Sequence, residues 1–327
     1  METQSTVADP AMIGFDWGTS SLRAFLIGDD GRVLDGRQRP GGILSVAPGG
    51  DDAGLAFAET AETMVGAWLE AYGDLPLFAC GMIGSDQGLA EAGYLDLPTD
   101  LAGLAEHLTT ARLGERELHI VPGIRKDGSG YTAPDVIRGE ETQLAGLAAA
   151  DADVRQHVVL PGTHTKWAIL DGCTVTDFIT TMTGEVFGLL ASSSILGRSI
   201  VPTTAFDVAA FDWGLSVGER DPAGMIASIF SARTWALEGR LAGNQVADYL
   251  SGILIGAEVA GHLQSHPIPV SSPLIVCGSP TLTERYSRAL RRHGLSPAAA
   301  DTSASASGLH RIAAQTELLR RKEHPSS

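Results

Sequence analysis

The sequence predicts an α/β protein built from two similar domains, and three observations carry that expectation. Short apolar strands alternate with helices along most of the chain. The second half opens as the first does, with strand, Gly-Thr turn, strand, hairpin turn and strand in the same order. The length of 327 residues fits two domains at roughly 100–200 residues each. We place them at residues 11–152 and 153–320.

In chain order, Met12–Phe15 is apolar and runs into Asp16-Trp17-Gly18-Thr19-Ser20-Ser21, a turn by composition. Leu22–Ile27 and Arg32–Arg37 read as strands on either side of the hairpin turn Gly28-Asp29-Asp30-Gly31. Leu55, Phe57, Met64, Trp68 and Leu69 recur at helical spacing and predict a helix over Ala53–Tyr72. Leu75–Met82 and Glu117–Val121 read as short strands ending in glycine-containing loops, and Glu140–Ala150 as an Ala/Leu-rich helix. In the second half, His157–Leu160 leads into Pro161-Gly162-Thr163-His164-Thr165-Lys166. The strand Trp167–Leu170, the turn Asp171-Gly172 and the strand Cys173–Phe178 follow, so that Gly162-Thr163 falls opposite Gly18-Thr19. Beyond them the pattern predicts a helix over Gln245–Leu263, a strand over Pro273–Cys277 and helices over Leu282–His293 and about Gly308–Leu319. Residues 1–10 and 318–327 are polar and read as loose ends.

At 44% hydrophobic residues the chain has the composition of a globular protein, which excludes wholesale disorder. A net charge of −16 argues against nucleic acid as a general partner, because such binding needs a cationic face. No apolar run reaches the roughly 18 residues of a spanning helix, and the start shows no basic region followed by an apolar run, so neither membrane nor secretion is expected. Cys80, Cys173 and Cys277 sit in apolar stretches and read as buried free thiols of a reducing cytoplasm. His107, His119, His262, His266, His293 and His310 lack metal-ligand spacing and read as surface or structural. A homodimer is compatible with the sequence.

A strand ending in a Gly/Thr/Ser turn exposes several backbone N–H groups at one point, and such a nest binds phosphate oxygens without a side-chain charge. Gly18, Thr19 and Ser20 in one half and Gly162, Thr163 and His164 in the other are therefore candidates for nucleotide phosphates in a cleft between the domains. Asp16, at the end of the first strand, is placed to hold Mg²⁺, which takes one or two carboxylates plus phosphate oxygens. Lys166 is the candidate for stabilising charge on a transferred phosphoryl group. No G-x-x-x-x-G-K-[ST] occurs, which excludes a Walker P-loop, and no G-x-G-x-x-G follows a strand.

The D-x-G-T turn at Asp16–Thr19, the P-G-T-H-x-K-W run at Pro161–Trp167 and the C-G-S-P-x-L-x-x-R-Y run at Cys277–Tyr286 resemble the phosphate 1, phosphate 2 and adenosine motifs of the actin/hexokinase/Hsp70 superfamily, in the expected order. Five blocks resemble the 2-dehydro-3-deoxygalactonokinase family more closely. They are D-W-G-T-S-S-L-R-A (Asp16–Ala24), G-M-I-G-S (Gly81–Ser85), V-I-R-G-E-E-T-Q-L (Val136–Leu144), M-T-G-E (Met182–Glu185) and L-S-G-I-L-I-G-A-E (Leu250–Glu258). The resemblance runs from about Met12 to Gln315.

The resemblance implies two ribonuclease H-like (actin-like ATPase) domains with mixed sheets around a nucleotide cleft. It implies a cytoplasmic kinase that uses ATP and Mg²⁺ to phosphorylate 2-dehydro-3-deoxy-D-galactonate at its 6-hydroxyl in galactonate and galactose catabolism. Gly278, Ser279 and Pro280 would approach the adenine. The phosphate 2 turn of the superfamily usually opens on an Asp, whereas this chain has Leu160-Pro161, which leaves Asp16 as the metal's carboxylate. Val136–Leu144 also resembles the S-G-x-E-E-x-x-L segment of exopolyphosphatases, which puts the general base on Glu140, with Asp16 serving both metal and base as the other reading. The substrate's carboxylate calls for Arg23 or Arg138, because a guanidinium grips a carboxylate with two parallel bonds. Arg23 could face either side of its strand. Ser85, Thr183 and Glu185 are further candidates for the sugar-acid site. An exopolyphosphatase-like phosphohydrolase and a non-catalytic actin-like nucleotide sensor stand as the alternatives.

Overall fold

The computed structural model describes residues 8–46, 53–130, 133–151, 153–301 and 303–320. Of the loose ends expected at 1–10 and 318–327, residues 1–7 and 321–327 lie outside the described residues, whereas Pro10 opens a strand and 318–320 belong to a short helix. The first strand, β1 (Pro10–Trp17), is buried along almost its whole length, as a strand covered on both faces must be. It is followed by β2 (Ser21–Gly28), β3 (Val33–Pro40), the short helix α1 (Ile43–Val46), helix α2 (Ala53–Tyr72) and β4 (Leu77–Cys80). Then come β5 (Tyr94–Asp96), β6 (Thr99–Asp100), β7 (Thr109–Leu113), β8 (Arg116–Ile120), β9 (Gly123–Lys126), β10 (Asp135–Ile137) and helix α3 (Glu140–Leu147).

Six of these strands form a sheet of order β3-β2-β1-β4-β8-β7. β1 runs antiparallel to β2 and parallel to β4, so the sheet is mixed. Phe57, Ala61, Met64, Val65 and Trp68 of α2 recur on one helical face and pack on Phe15, Trp17 and Leu26 to make the first core. The expected Leu75–Met82 strand is shorter, because Gly81 takes a φ of 90° and a single tight turn, Met82–Gly84, follows. A small sheet of order β10-β9-β5 was not legible in the sequence.

The later elements are β11 (Arg155–Leu160), β12 (Thr165–Asp171), β13 (Thr174–Thr181), and helices α4 (Thr183–Ser193), α5 (Val208–Arg220), α6 (Met225–Ser228), α7 (Ser231–Leu237) and α8 (Val246–Ser265). They are followed by β14 (Leu274–Cys277), α9 (Pro280–Arg292), β15 (Ala298–Ala300), α10 (Ala304–Ala313) and α11 (Glu317–Arg320). β14 lies parallel to both β11 and β15. Val159, Trp167, Val276 and Tyr286 pack with Ile255 and Val259 of α8 in one core, and the other end of α8 packs with α4 and α7 in a second. The expected Gly308–Leu319 helix is two helices, and α10 begins four residues earlier than expected.

Contacts divide the chain into two compact units. One holds Met1–Val154, Ile169–Phe178 and Thr302–Ser327, and the other Arg155–Ala168 and Ile179–Asp301. This differs from the single cut expected at 152/153. Helix α10 returns to the first unit, where the Arg311 guanidinium donates to the carbonyls of Ala145 and Ala148 at the end of α3, at 2.8 and 3.0 Å. Cys80 and Cys277 are buried as expected, but Cys173 is exposed, because it stands in the turn between β12 and β13. Among the described residues no helix is long and apolar enough to cross a membrane.

Candidate active site

In the first unit, Asp16 is the last residue but one of β1 and lies directly opposite Arg23 of β2 in the antiparallel register. Opposed residues of such a pair share a face, which settles the direction of Arg23. Its guanidinium donates to Asp16 Oδ2, and the fully buried Ser305 of α10 donates to the same oxygen at 2.7 Å. Arg23 was expected to grip a substrate carboxylate; instead its charge is matched to Asp16. The turn that follows presents Thr19 and Ser20 to solvent. It is braced from outside, with Gly18 O accepting from Ile43 N at 3.0 Å and Ser20 O from Gly41 N at 2.9 Å.

Beside Asp16, in parallel register, stands Cys80, whose thiol is pushed well up by burial and by the charges of Asp16 and Glu141. Glu140 and Glu141 open α3. Glu140 Oε2 accepts from Arg138 N at 3.0 Å, and Glu141 Oε2 from Gly139 N at 2.6 Å. Glu141 also accepts from Thr142 Oγ1 at 2.9 Å. Burial, and then the neighbouring Glu140 charge, push the Glu141 carboxyl up to about 7. Sequence reading had marked Glu140 and passed over Glu141, since burial is what separates the two.

Arg138 is 9% exposed, with its guanidinium 4.2 Å from the centre of the Tyr94 ring. Nη2 donates to Gly93 O at 2.9 Å, whereas the buried Nη1 has no hydrogen-bond partner. Ser85, expected to meet sugar hydroxyls, is buried and donates to Met82 O at 2.7 Å, closing the turn after β4.

The second unit repeats the braced turn. Pro161–His164 joins β11 to β12, with Thr163 and His164 exposed, and Thr163 O accepts from Glu185 N at 2.8 Å. A Cβ on Gly184 would stand 2.1 Å from Gly162 O, as a Cβ on Gly42 would stand 1.9 Å from Gly18 O. In each half only glycine lets the next segment close against the turn. The structure brings His164 and Glu185 together, ring Nε2 to Oε2 at 2.5 Å, and Lys166 Nζ donates to His164 O at 3.2 Å. Thr183 begins α4. Ser279 caps α9 by accepting from Leu282 N at 3.4 Å, and Pro280 fills the first helical position. Gly278 has a local reason to lack a Cβ, which would lie 2.9 Å from Pro161 O.

The mixed α/β fold is that of the two-domain ATPases. The chain belongs to the 2-keto-3-deoxy-galactonokinase family, whose model matches residues 16–312. It is therefore a sugar kinase. It is 35% identical over 303 residues to the 2-dehydro-3-deoxygalactonokinase of Escherichia coli (strain K12), covering 92% of this chain and 97% of that one. It is 38% identical over 289 residues to a probable 2-dehydro-3-deoxygalactonokinase of Rhizobium meliloti (strain 1021), covering 88% and 90%. The crystal structure of a Sinorhizobium meliloti protein assigned as a 2-dehydro-3-deoxygalactonokinase matches with a TM-score of 0.78 at 34% identity, over 97% of this chain and 98% of that one. The activator of the 2-hydroxyisocaproyl-CoA dehydratase from Clostridium difficile, solved with bound ADPNP, shares the fold at a TM-score of 0.55 and 12% identity over 97% and 98%.

Proposed function

We propose that the chain transfers the γ-phosphoryl group of ATP to the 6-hydroxyl of 2-dehydro-3-deoxy-D-galactonate, giving the 6-phosphate and ADP, in galactonate and galactose catabolism. The reading is supported by the pair of glycine-braced turns in a chain whose relatives carry that activity in their names. Each turn offers backbone N–H groups for phosphate oxygens, at Thr19–Ser20, where Gly18 N closes the turn on Ser21 O at 2.9 Å, and at Gly162–His164. Lys166 supplies fixed positive charge beside the second turn, and Gly278–Pro280 lie against its first residue and take the adenine side.

The residues present fit Mg²⁺. Among the described residues no group of three or more His, Cys, Asp or Glu could cage a metal, and Asp16 offers its Oδ1, since Oδ2 is held by Arg23 and Ser305. Mg²⁺ suits that arrangement, because it keeps several waters and takes its other ligands from substrate phosphates. When bound there it would neutralise phosphate charge.

Glu140 is the proposed general base for the acceptor hydroxyl. It is half-buried at the start of α3, beside Glu141, whose carboxyl burial pushes up to about 7. Arg138 is the proposed anchor for the substrate's carboxylate. A buried guanidinium nitrogen without a partner costs free energy that an anion would recover, and its ring partner Tyr94 already fixes its plane. The enzyme works on small molecules in the cytoplasm.

The test is ADP release with Mg-ATP and, in turn, 2-dehydro-3-deoxygalactonate, its gluconate epimer, plain hexoses and no acceptor, with the phosphorylated carbon read by phosphorus–proton NMR. ADP formed only with a keto-deoxy acid, and phosphate on carbon 6, is the expected result. Equal release without an acceptor would instead mark a phosphohydrolase. Glu140→Gln should lose turnover while keeping ATP affinity; near-normal turnover would remove it as the base.

A further inference from the structure

The block Leu250–Glu258 ends on a carboxylate that the chemistry above does not use. Its glycines have a packing role, since α8 crosses α5 closely enough that a Cβ on Gly252 would stand 2.2 Å from Phe211 O. Glu258 has no such explanation, and polar side chains reach its carboxylate from an otherwise apolar core. Oε1 accepts from the indole Nε1 of Trp167 at 2.7 Å, and Oε2 from the Tyr286 hydroxyl at 2.6 Å. Tyr286 OH in turn meets Thr165 Oγ1 at 2.9 Å. Burial pushes the Glu258 carboxyl up, and the hydroxyls of Thr183 and Tyr286 and the Trp167 indole hold it down.

These contacts converge on one place. Thr165 and Trp167 are the first and third residues of β12, the strand that leaves the Pro161–His164 turn. Alternate residues of a strand share a face, so holding both toward α8 and α9 directs the intervening Lys166 to the opposite face. Thr183 is the first residue of α4, whose Gly184 and Glu185 close against Gly162 and Thr163. A single carboxylate on α8 thus ties together the strand after the turn and the helix that braces it.

We propose that Glu258 is a positioning residue for nucleotide binding, setting the Pro161–Lys166 turn and the direction of Lys166 through Trp167, Tyr286 and Thr183. The inference rests on the reading that this turn meets ATP phosphates. It predicts an effect on nucleotide rather than on sugar acid. Glu258→Leu removes every acceptor, whereas Glu258→Gln keeps one for Trp167 and leaves Tyr286 free to donate to Thr165.

The experiment is calorimetric Mg-ATP binding by the full chain, paired with KM for ATP and for the keto-deoxy acid, on variants whose circular dichroism and melting match the wild type. Glu258→Leu should raise Kd and KM for ATP about tenfold or more, leave KM for the acid within about twofold, and be largely rescued in Glu258→Gln. Unchanged ATP affinity in folded Glu258→Leu, or equal rises in both KM values, would overturn the proposal. If Glu258→Leu does not fold, Tyr286→Phe and Trp167→Phe take its place. Each should weaken ATP binding, and wild-type affinity in both would overturn it equally. The Kd comparison decides the role of Glu258 even if the wild type phosphorylates none of the acids offered, an outcome that would remove the substrate assignment alone.

Discussion

Replacing Glu141 by Gln tests the electrostatics of the site through stability rather than turnover. The carboxyl is fully buried at the start of α3 and is raised from 4.5 to about 7 in the folded chain. Between those two values the folded chain holds a proton that the unfolded chain has released. Stability therefore falls as pH rises through that window, and the penalty is complete above it. The interval between 4.5 and about 7, at about 1.4 kcal/mol per decade of proton affinity, makes the full penalty roughly 3.5 kcal/mol. Gln carries no such charge, and its lost acceptor is a constant offset at every pH. Urea unfolding of both proteins from pH 5 to pH 8 should show the wild type losing roughly 2.5 kcal/mol relative to Glu141→Gln across that range, the part of the window that lies above pH 5. Parallel profiles would mean that Glu141 titrates alike in the folded and unfolded chains, and would refute the assignment of burial as the dominant influence.

The other predictions concern single contacts. Arg138→Met should raise KM for the keto-deoxy acid by roughly thirtyfold or more while leaving KM for ATP unchanged, since losing a buried charge partner costs at least about 2 kcal/mol. A rise in KM for ATP alone would place Arg138 elsewhere in the chemistry. Gly184→Ala puts a Cβ 2.1 Å from Gly162 O, so the turn must move by about 1 Å. A displacement of that size costs roughly a hundredfold in kcat/KM, and wild-type kinetics with ATP would show that the turn does not have to be held. Ser305→Ala removes the 2.7 Å bond to Asp16 and should cost about 1.5–3 kcal/mol in urea unfolding, the range for a hydrogen bond to a charged group. An unchanged unfolding midpoint would show that Asp16 does not depend on it.

Much of the frame was legible because it rests on local signals. The Gly28–Gly31 turn between two apolar runs defined the β2–β3 hairpin, and the spacing of Phe57, Met64 and Trp68 defined α2 within its observed bounds. The paired Gly-Thr turns could be found by setting the two halves of the chain side by side, and the family by its five blocks. Local pattern failed where an element depends on distant partners. The three-residue strands β5 and β10 are strands only because β9 lies between them. The helices α4, α6 and α7 are short or half-exposed, so no apolar face announced them. The buried face of α5 is half made of small residues, Ala210, Gly214 and Gly218 beside Phe211 and Leu215, whose role only the contact with α8 reveals.

The site divides in the same way. Asp16, Gly18, Gly162 and Lys166 stand next to their turns in sequence, and chain adjacency alone made them candidates. Ser305 lies 289 residues from the Asp16 it touches, in a run of small residues with no feature to mark it. Arg23 and Arg138 looked equivalent as letters; register paired one with Asp16, and burial left a nitrogen of the other without a partner. Sequence by itself determined the alternation of elements, the duplicated turns and the family, because those follow from spacing along the chain. Tertiary structure alone decided which charges are paired, which carboxyl is pushed toward neutrality and which glutamate holds the second turn, because those depend on which distant side chains exclude water from one another.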